Sequence, residues 1–486
     1  MHRIYLALLA FLTAIAPNAF ADKPDKPNIL FIFSDDQSYD TIRAHGYTDI
    51  DTPNLDRLVK NGTSFSHAYN MGSWVRAVCV ASRYMLNTGT FLWKAQKVSE
   101  NMGKARPAHE GVLNFPEENL MWSQLMKSGG YNTYLTGKWH GKAKADELFD
   151  VVRNVRPGMP NQTAEGYNRP VQGQPDPWSP YDKKFEGFWQ GGKHWSEIVA
   201  DDAIEFLGME KEKEEPFFMY VAFNAPHDPR QAPKEFIDRY PLDRIEVPEN
   251  FLPEYPYKDQ IDSSARLRGE TLAPFPRTKY AVQVHRQEYY AIITHMDVQI
   301  GRILDALEES GEIDNTYVFY SSDHGLSVGH HGLMAKQSLF DHSVRVPLVV
   351  NGPGIEKGKS FSAPVYLQDI MPTSLELAEV EVPEHVQFKS LMPVVRGESE
   401  GYDAIYGAYL KSQRSIVKDG FKLVMYPNVP KVLLFDLQQD PQEMKDISAK
   451  NPEKTQYLFK EFQQLQKETG DQLDLTETFS GLVTGG

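Results

Sequence analysis

Five short stretches hold the residues with chemical potential: "SDDQ" with Asp35 and Asp36, "GKWH" with Lys138 and His140, "NAPHDP" with His227, "SDHG" with Asp323 and His324, and "HHGLMAK" with His331 and Lys336. Three carboxylates, Asp35, Asp36 and Asp323, suit a hard divalent cation with oxygen ligands, Ca²⁺ or Mg²⁺; zinc draws on more histidine or cysteine. Lys138, Lys336 and Arg83 beside such a metal form a clamp for a tetrahedral oxyanion. His140 and His227 can move protons near neutral pH. Metal and cations gathered around an anion point to phosphoryl or sulfuryl transfer. The missing part is a nucleophile. The stretch "CVASRYMLNTG" (79–89) holds Cys79, the one cysteine of 486 residues. A single thiol cannot close an intramolecular disulfide, so Cys79 is either a buried small hydrophobe or a reactive group.

These groups are useful only if the fold brings them together. "NILFIF" (28–33) reads as a buried parallel strand, and "YNTYLTG" (131–137), "PFFMYVAF" (216–223) and "NTYVFYSS" (315–322) as three more, with "VRVPLVVNGPG" closing the set. Between them, "TPNLDRLVKNG" predicts a helix with Thr52 as N-cap, Pro53 at its first position and Gly62 as its stop. Residues 196–215 and 286–311 predict two more helices. Alternating strand and helix specify an α/β sheet covered on both faces, in which ligands bind beyond the carboxyl ends of the strands. Four strands each deliver charged groups to that edge. Asp and Asn are common in turns, but four such clusters together indicate an active site. The Pro-, Gly- and aromatic-rich segments 141–195 and 224–285 are long loops, expected to wall a cleft or wrap the surface.

Composition narrows the partners. Hydrophobic content of 41% indicates a folded globule. A formal charge of −15 without a basic run argues against nucleic acid and requires any anion site to be built from local cations. "MHRIYLALLAFLTAIAPNAFA" reads as a secretory signal cleaved after Ala21, too short for a membrane span. The expected location is periplasmic or secreted, with no membrane partner. Asn61-Gly-Thr63 and Asn161-Gln-Thr163 fit the glycosylation sequon, relevant only in a eukaryotic host.

"CVASR" fits Cys, any residue, Pro or Ala, any residue, Arg. It resembles the signature of the type I sulfatases, in which that cysteine becomes Cα-formylglycine. "PNILFIFSDDQ", "TGKWH", "PHDP", "SSDHG" and "FDLQQDPQEMKDIS" also look like family segments in family order. The resemblance implies the α/β alkaline-phosphatase-like fold: a large mixed sheet between helices in residues 22–381, and a smaller α+β subdomain in 382–486 with an antiparallel sheet and a helix. It implies a formylglycine-generating enzyme as partner. It also implies roles: Cys79, as formylglycine hydrate, attacks sulfur; Asp35, Asp36, Asp323 and His324 hold Ca²⁺ with the formylglycine; Arg83 and His140 steady the hydrate. Lys138 and Lys336 bind sulfate oxygens, and His227 protonates the leaving alcohol. His324 stands where many members have Asn, and His330 replaces a frequent acidic residue; it faces substrate or makes a helix or loop contact. The implied substrate is a sulfated carbohydrate. Alternatives are a phosphonate or phosphodiester hydrolase, or a non-catalytic sulfated-glycan-binding protein.

Overall fold

The apolar run Asn28–Ser34 is a strand buried along its whole length, as a strand covered on both faces requires. In the computed structural model, which describes residues 26–47, 49–104 and 120–483, it occupies the middle of an eight-stranded sheet. The expected leader at 1–21 lies outside the described residues. Phe217–Ala222 pairs with it in parallel on one side, and Thr316–Ser322 does so on the other. Asn132–Lys138 and the edge strand Val151–Arg156 extend the parallel block. On the opposite flank Leu348–Asn351 runs antiparallel and leads to the short strands Thr63–Phe65 and Lys359–Phe361. The sheet is therefore mixed, and strand order departs in both directions from Asn28–Ser34. Such a switch point opens a crevice at the strand's carboxyl end.

Alternation along the strand divides the core in two. Ile29, Phe31 and Phe33 pack with the helix Val78–Thr88 and with Trp122. Leu30 and Ile32 pack with the helices Trp195–Met209 and Lys279–Glu309. Several boundaries differ from expectation. The helix expected over 196–215 ends at Met209 and continues only as a 3₁₀ turn. The one expected over 286–311 begins at Lys279, where the Thr278 side chain accepts a hydrogen bond from the Ala281 N–H. The first helix, Pro53–Asn61, follows Thr52 as expected, but that hydroxyl makes no cap. It donates to Asp56 Oδ1 instead.

The strands Ile405–Tyr409, Gln413–Lys418, Phe421–Tyr426 and Lys431–Asp436 form an antiparallel meander, with Phe459 and Phe462 of the helix Pro452–Thr469 buried in the core beside it. This sheet is not wholly antiparallel. Its fifth strand, Gly72–Ser73, comes from the segment leading into the helix of Cys79 and pairs in parallel with Ala408 and Tyr409. Gly72 sits at φ 98°, and a Cβ there would land on the carbonyl oxygen of Ala408. Gly72→Ala combines backbone strain with a clash, so it is expected to destabilise the protein by about 2–5 kcal/mol. A denaturant midpoint unchanged from the parent would show that the seam tolerates a side chain.

Candidate active site

Each predicted strand end arrives at the same crevice. Asp35 and Asp36 follow Asn28–Ser34 directly, and Asp36 takes a left-handed conformation at φ 70°, which Asp tolerates better than most residues. The turn is stitched to its neighbours: Asp35 N donates to Ala225 O at 3.0 Å, Asp36 N to Asp323 Oδ1 at 3.2 Å, and Gln37 N to Ser322 Oγ at 2.8 Å. Lys138 is the last residue of its strand. Cys79 is the second residue of the helix Val78–Thr88, and Arg83, four residues on, lies on the same helix face.

Every carboxylate has its own cation. Lys138 Nζ is paired with Asp35 Oδ2, Lys336 Nζ lies 2.7 Å from Asp36 Oδ1, and Arg83 Nε lies 3.0 Å from Asp323 Oδ2. Cys79 Sγ sits among them, 3.1 Å from Lys336 Nζ and 3.5 Å from His324 Nε2. His324 Nε2 is also 3.1 Å from Asp36 Oδ1. His227 Nε2 lies 3.6 Å from Asp36 Oδ2. Its Nδ1 donates to the Asp228 carbonyl at 2.8 Å; a carbonyl only accepts, so the proton of the neutral ring resides on Nδ1. His140, at φ 57°, lines the cleft beside Cys79, and its Nδ1 is buried without a hydrogen-bond partner.

The charges are strongly coupled. Burial pushes the Cys79 thiol up, but Lys138 and Lys336 outweigh it and hold the group well below the ordinary thiol range. Burial and the neighbouring Asp323 lift Asp35 well above the usual carboxylate range. Burial and Lys336 pull His324 down, yet Asp323 and Asp36 prevail and leave it raised. Burial lowers His140.

The donor set fits a hard divalent cation. Ligand atoms of Asp35, Asp36, Cys79 and His227, and of Asp35, Cys79, Asp323 and His324, lie within 4.8 Å of one another. Oxygen ligands about 2.3–2.6 Å from a calcium ion are at most about 5 Å apart. Asp35 Oδ1 is buried with no hydrogen-bond partner, a lone-pair donor without an acceptor-side role in the chain itself.

The cluster forms one wall of a cleft of about 590 Å³. Loop residues 157–159 and 266–269 contribute to the cleft, as expected of the two long segments, but among the described residues no Phe, Tyr or Trp lines it. Trp178, Phe185 and Trp189 are buried instead, with Trp178 under the Arg169 guanidinium. Two histidines also depart from the expected cluster. His331 Nε2 donates to the Glu443 carbonyl, and His330 makes a loop contact through Nδ1 to Asn250 Oδ1 at 2.9 Å. Sequence reasoning passed over Asp228, although it adjoins His227 in "PHDP". It also passed over Arg268, whose pairing with Asp228 has no local signal.

A buried thiol among two lysines, three carboxylates and three histidines, at the switch point of an α/β sheet, defines a metal-dependent ester hydrolase. The chain belongs to the sulfatase family: the family model described as Sulfatase matches residues 27–380. A second, described as N-sulphoglucosamine sulphohydrolase, C-terminal, matches residues 329–470. The cluster has the composition of the formylglycine- and metal-binding active site of sulfatases. An arylsulfatase of Clostridium perfringens is 28% identical, over 90% of this chain and 93% of its own length. The fold is shared with a solved protein bound to its substrate D-glucosamine-2-N,6-O-disulfate, at TM-score 0.69 and 24% identity over 92% of this chain and 99% of that one. It is equally shared with a phosphonate monoester hydrolase of Silicibacter pomeroyi, at TM-score 0.71 and 18% identity over 92% and 96%.

Proposed function

We propose that this protein is an exported sulfatase, its leader at 1–21 removed, that hydrolyses sulfate monoesters of sulfated carbohydrate. Residues 22–381 form the catalytic part and 382–486 the subdomain. The observation that carries this reading is the placement of Cys79 Sγ, 3.1 Å from Lys336 Nζ, on the wall of an open cleft. The carbohydrate reading draws support from the sugar disulfate bound by the structural relative. Once Cys79 is converted to formylglycine, its hydrate supplies the nucleophile. Asp35, Asp36, Asp323 and His324 would hold the divalent ion, Ca²⁺ or Mg²⁺, which when bound would supply Lewis-acid polarisation. Lys138 and Lys336, relieved of neutralising Asp35 and Asp36 when that ion is bound, offer their ammonium groups to the sulfuryl oxygens. Arg83, fixed by donating to the Lys138 carbonyl at 2.8 Å, and His140 steady the residue at position 79. His227 donates a proton to the leaving alcohol through Nε2, with its Nδ1 held 3.3 Å from Asp228 Oδ1.

His227 gives a discriminating test. A sugar alkoxide needs a proton to leave; a nitrophenolate does not. General acids contribute about 10²–10⁴-fold, so His227→Ala is expected to lose that much kcat/KM on a sugar sulfate and far less on nitrophenyl sulfate. Equal losses on both esters would reduce His227 to a brace for its loop. The phosphonate-hydrolase reading, favoured by the second structural likeness, predicts faster turnover of a phenylphosphonate than of nitrophenyl sulfate. The glycan-binding reading predicts binding without sulfate release.

A further inference from the structure

The cations around the cleft fall into two groups. Lys336 is committed to Asp36, and Arg268 to Asp228. Arg76 and Arg266 line the same cleft, are exposed, and have no carboxylate partner among the described residues. Neither is on a free-floating loop. The Arg76 carbonyl accepts a hydrogen bond from Gln337 Nε2 at 2.9 Å, which ties its backbone to the residue following Lys336. Arg266 belongs to a turn whose Gly269 packs directly on Ala335, the residue preceding Lys336, so closely that a Cβ at 269 would lie 2.8 Å from the Ala335 side chain. Both backbones are thus fixed to the segment that carries the sulfate-binding lysine, while the guanidinium groups remain unpaired at the cleft.

We infer that Arg76 and Arg266 recognise a second anionic group, carboxylate or sulfate, on the sugar that carries the scissile ester. This deepens the sulfatase reading and rests on it. A chain of formal charge −15 repels polyanions at long range, so unpaired guanidinium groups beside the site select for charge at short range. Arginine suits the task because its planar fork matches both carboxylate and sulfate oxygens. The described lining of the cleft, with Arg76, Arg266, Arg268 and Lys336 and no Phe, Tyr or Trp, agrees with recognition by charge and hydrogen bonds.

The test uses full-length protein carrying formylglycine and three sugar sulfates of one backbone: one with a single sulfate, one with a second sulfate, and one with an adjoining uronate. The parent protein is expected to favour one of the two dianionic substrates by about tenfold or more in kcat/KM, the equivalent of one charge-assisted contact, and the better arm identifies the anion. In Arg76→Gln/Arg266→Gln that preference should fall to near unity, and Arg76→Lys/Arg266→Lys should retain part of it. Raising ionic strength should shrink the preference in the parent. If the parent shows no preference, or the double Gln variant keeps it, this inference is wrong while nitrophenyl sulfate turnover still upholds the sulfatase. If no sulfate ester is turned over, both fall together.

Discussion

Cys79→Ala is expected to lower kcat by on the order of 10⁶-fold, the scale of losing a covalent nucleophile, while leaving the protein folded. The side chain is only 2% exposed and makes no structural hydrogen bond that Ala would leave unpaired at the backbone. Its partners Lys336 and His324 keep Asp36 as a common neighbour. The companion measurement is the mass of the tryptic peptide Ala77–Arg83 from the active parent. Conversion of the CH₂SH group to an aldehyde lowers it by about 18 Da. A fully active protein with unmodified cysteine in that peptide would falsify the assigned nucleophile.

Removing divalent cations is expected to abolish turnover, with Ca²⁺ or Mg²⁺ restoring it better than Zn²⁺. Lys138, Lys336 and Arg83 each sit beside one of the three buried carboxylates; on the reading proposed above, a divalent ion would share that balance and leave the two lysines for sulfate. A readout independent of catalysis follows from linkage. An ion that binds only the folded state adds about 2.7 kcal/mol at a hundredfold excess over Kd, so Ca²⁺ should raise Tm, and Asp35→Asn should abolish the rise. Asp323→Asn should do the same and also release Arg83, whose Nε rests on that carboxylate. A Tm indifferent to Ca²⁺ would remove all three aspartates from the metal.

Much of this site was legible because buried parallel strands are continuous apolar runs and their functional groups follow within a few residues. Asp35, Lys138, His227 and Asp323 were found that way. Cys79 and Arg83 needed the local motif, since the helix that presents them had no distinct apolar period. What escaped depends on tertiary contact. Gly72–Ser73 is too short for any periodicity, and its partner strand lies far along the chain. Lys279–His285 was merged with a loop because Pro- and Gly-rich sequence precedes it. The aromatic-rich loops are expected to wall a cleft or wrap the surface, and Trp178 and Trp189 take the second course: both are buried, as the hydrophobic effect favours. Their rings pack within the loops, and the part of the cleft these loops line is made of residues such as Met159, Arg266, Leu267 and Arg268.

The Gly72–Ser73 seam also sets a clock. The segment ahead of Cys79 reaches its final place only by pairing with Ala408, a residue synthesised long after it. Until then the helix that carries Cys79 lacks one of its anchors, and its thiol is more open than in the finished fold, where it is 2% exposed. Chain elongation at about 5–20 residues per second makes that interval many seconds long. If Cys79 is the formylglycine precursor proposed above, its modifying enzyme would have that interval in which to act before the sheet closes. Expression with the modifying enzyme scarce should then yield well-folded protein with an inactive fraction that keeps cysteine in the peptide Ala77–Arg83.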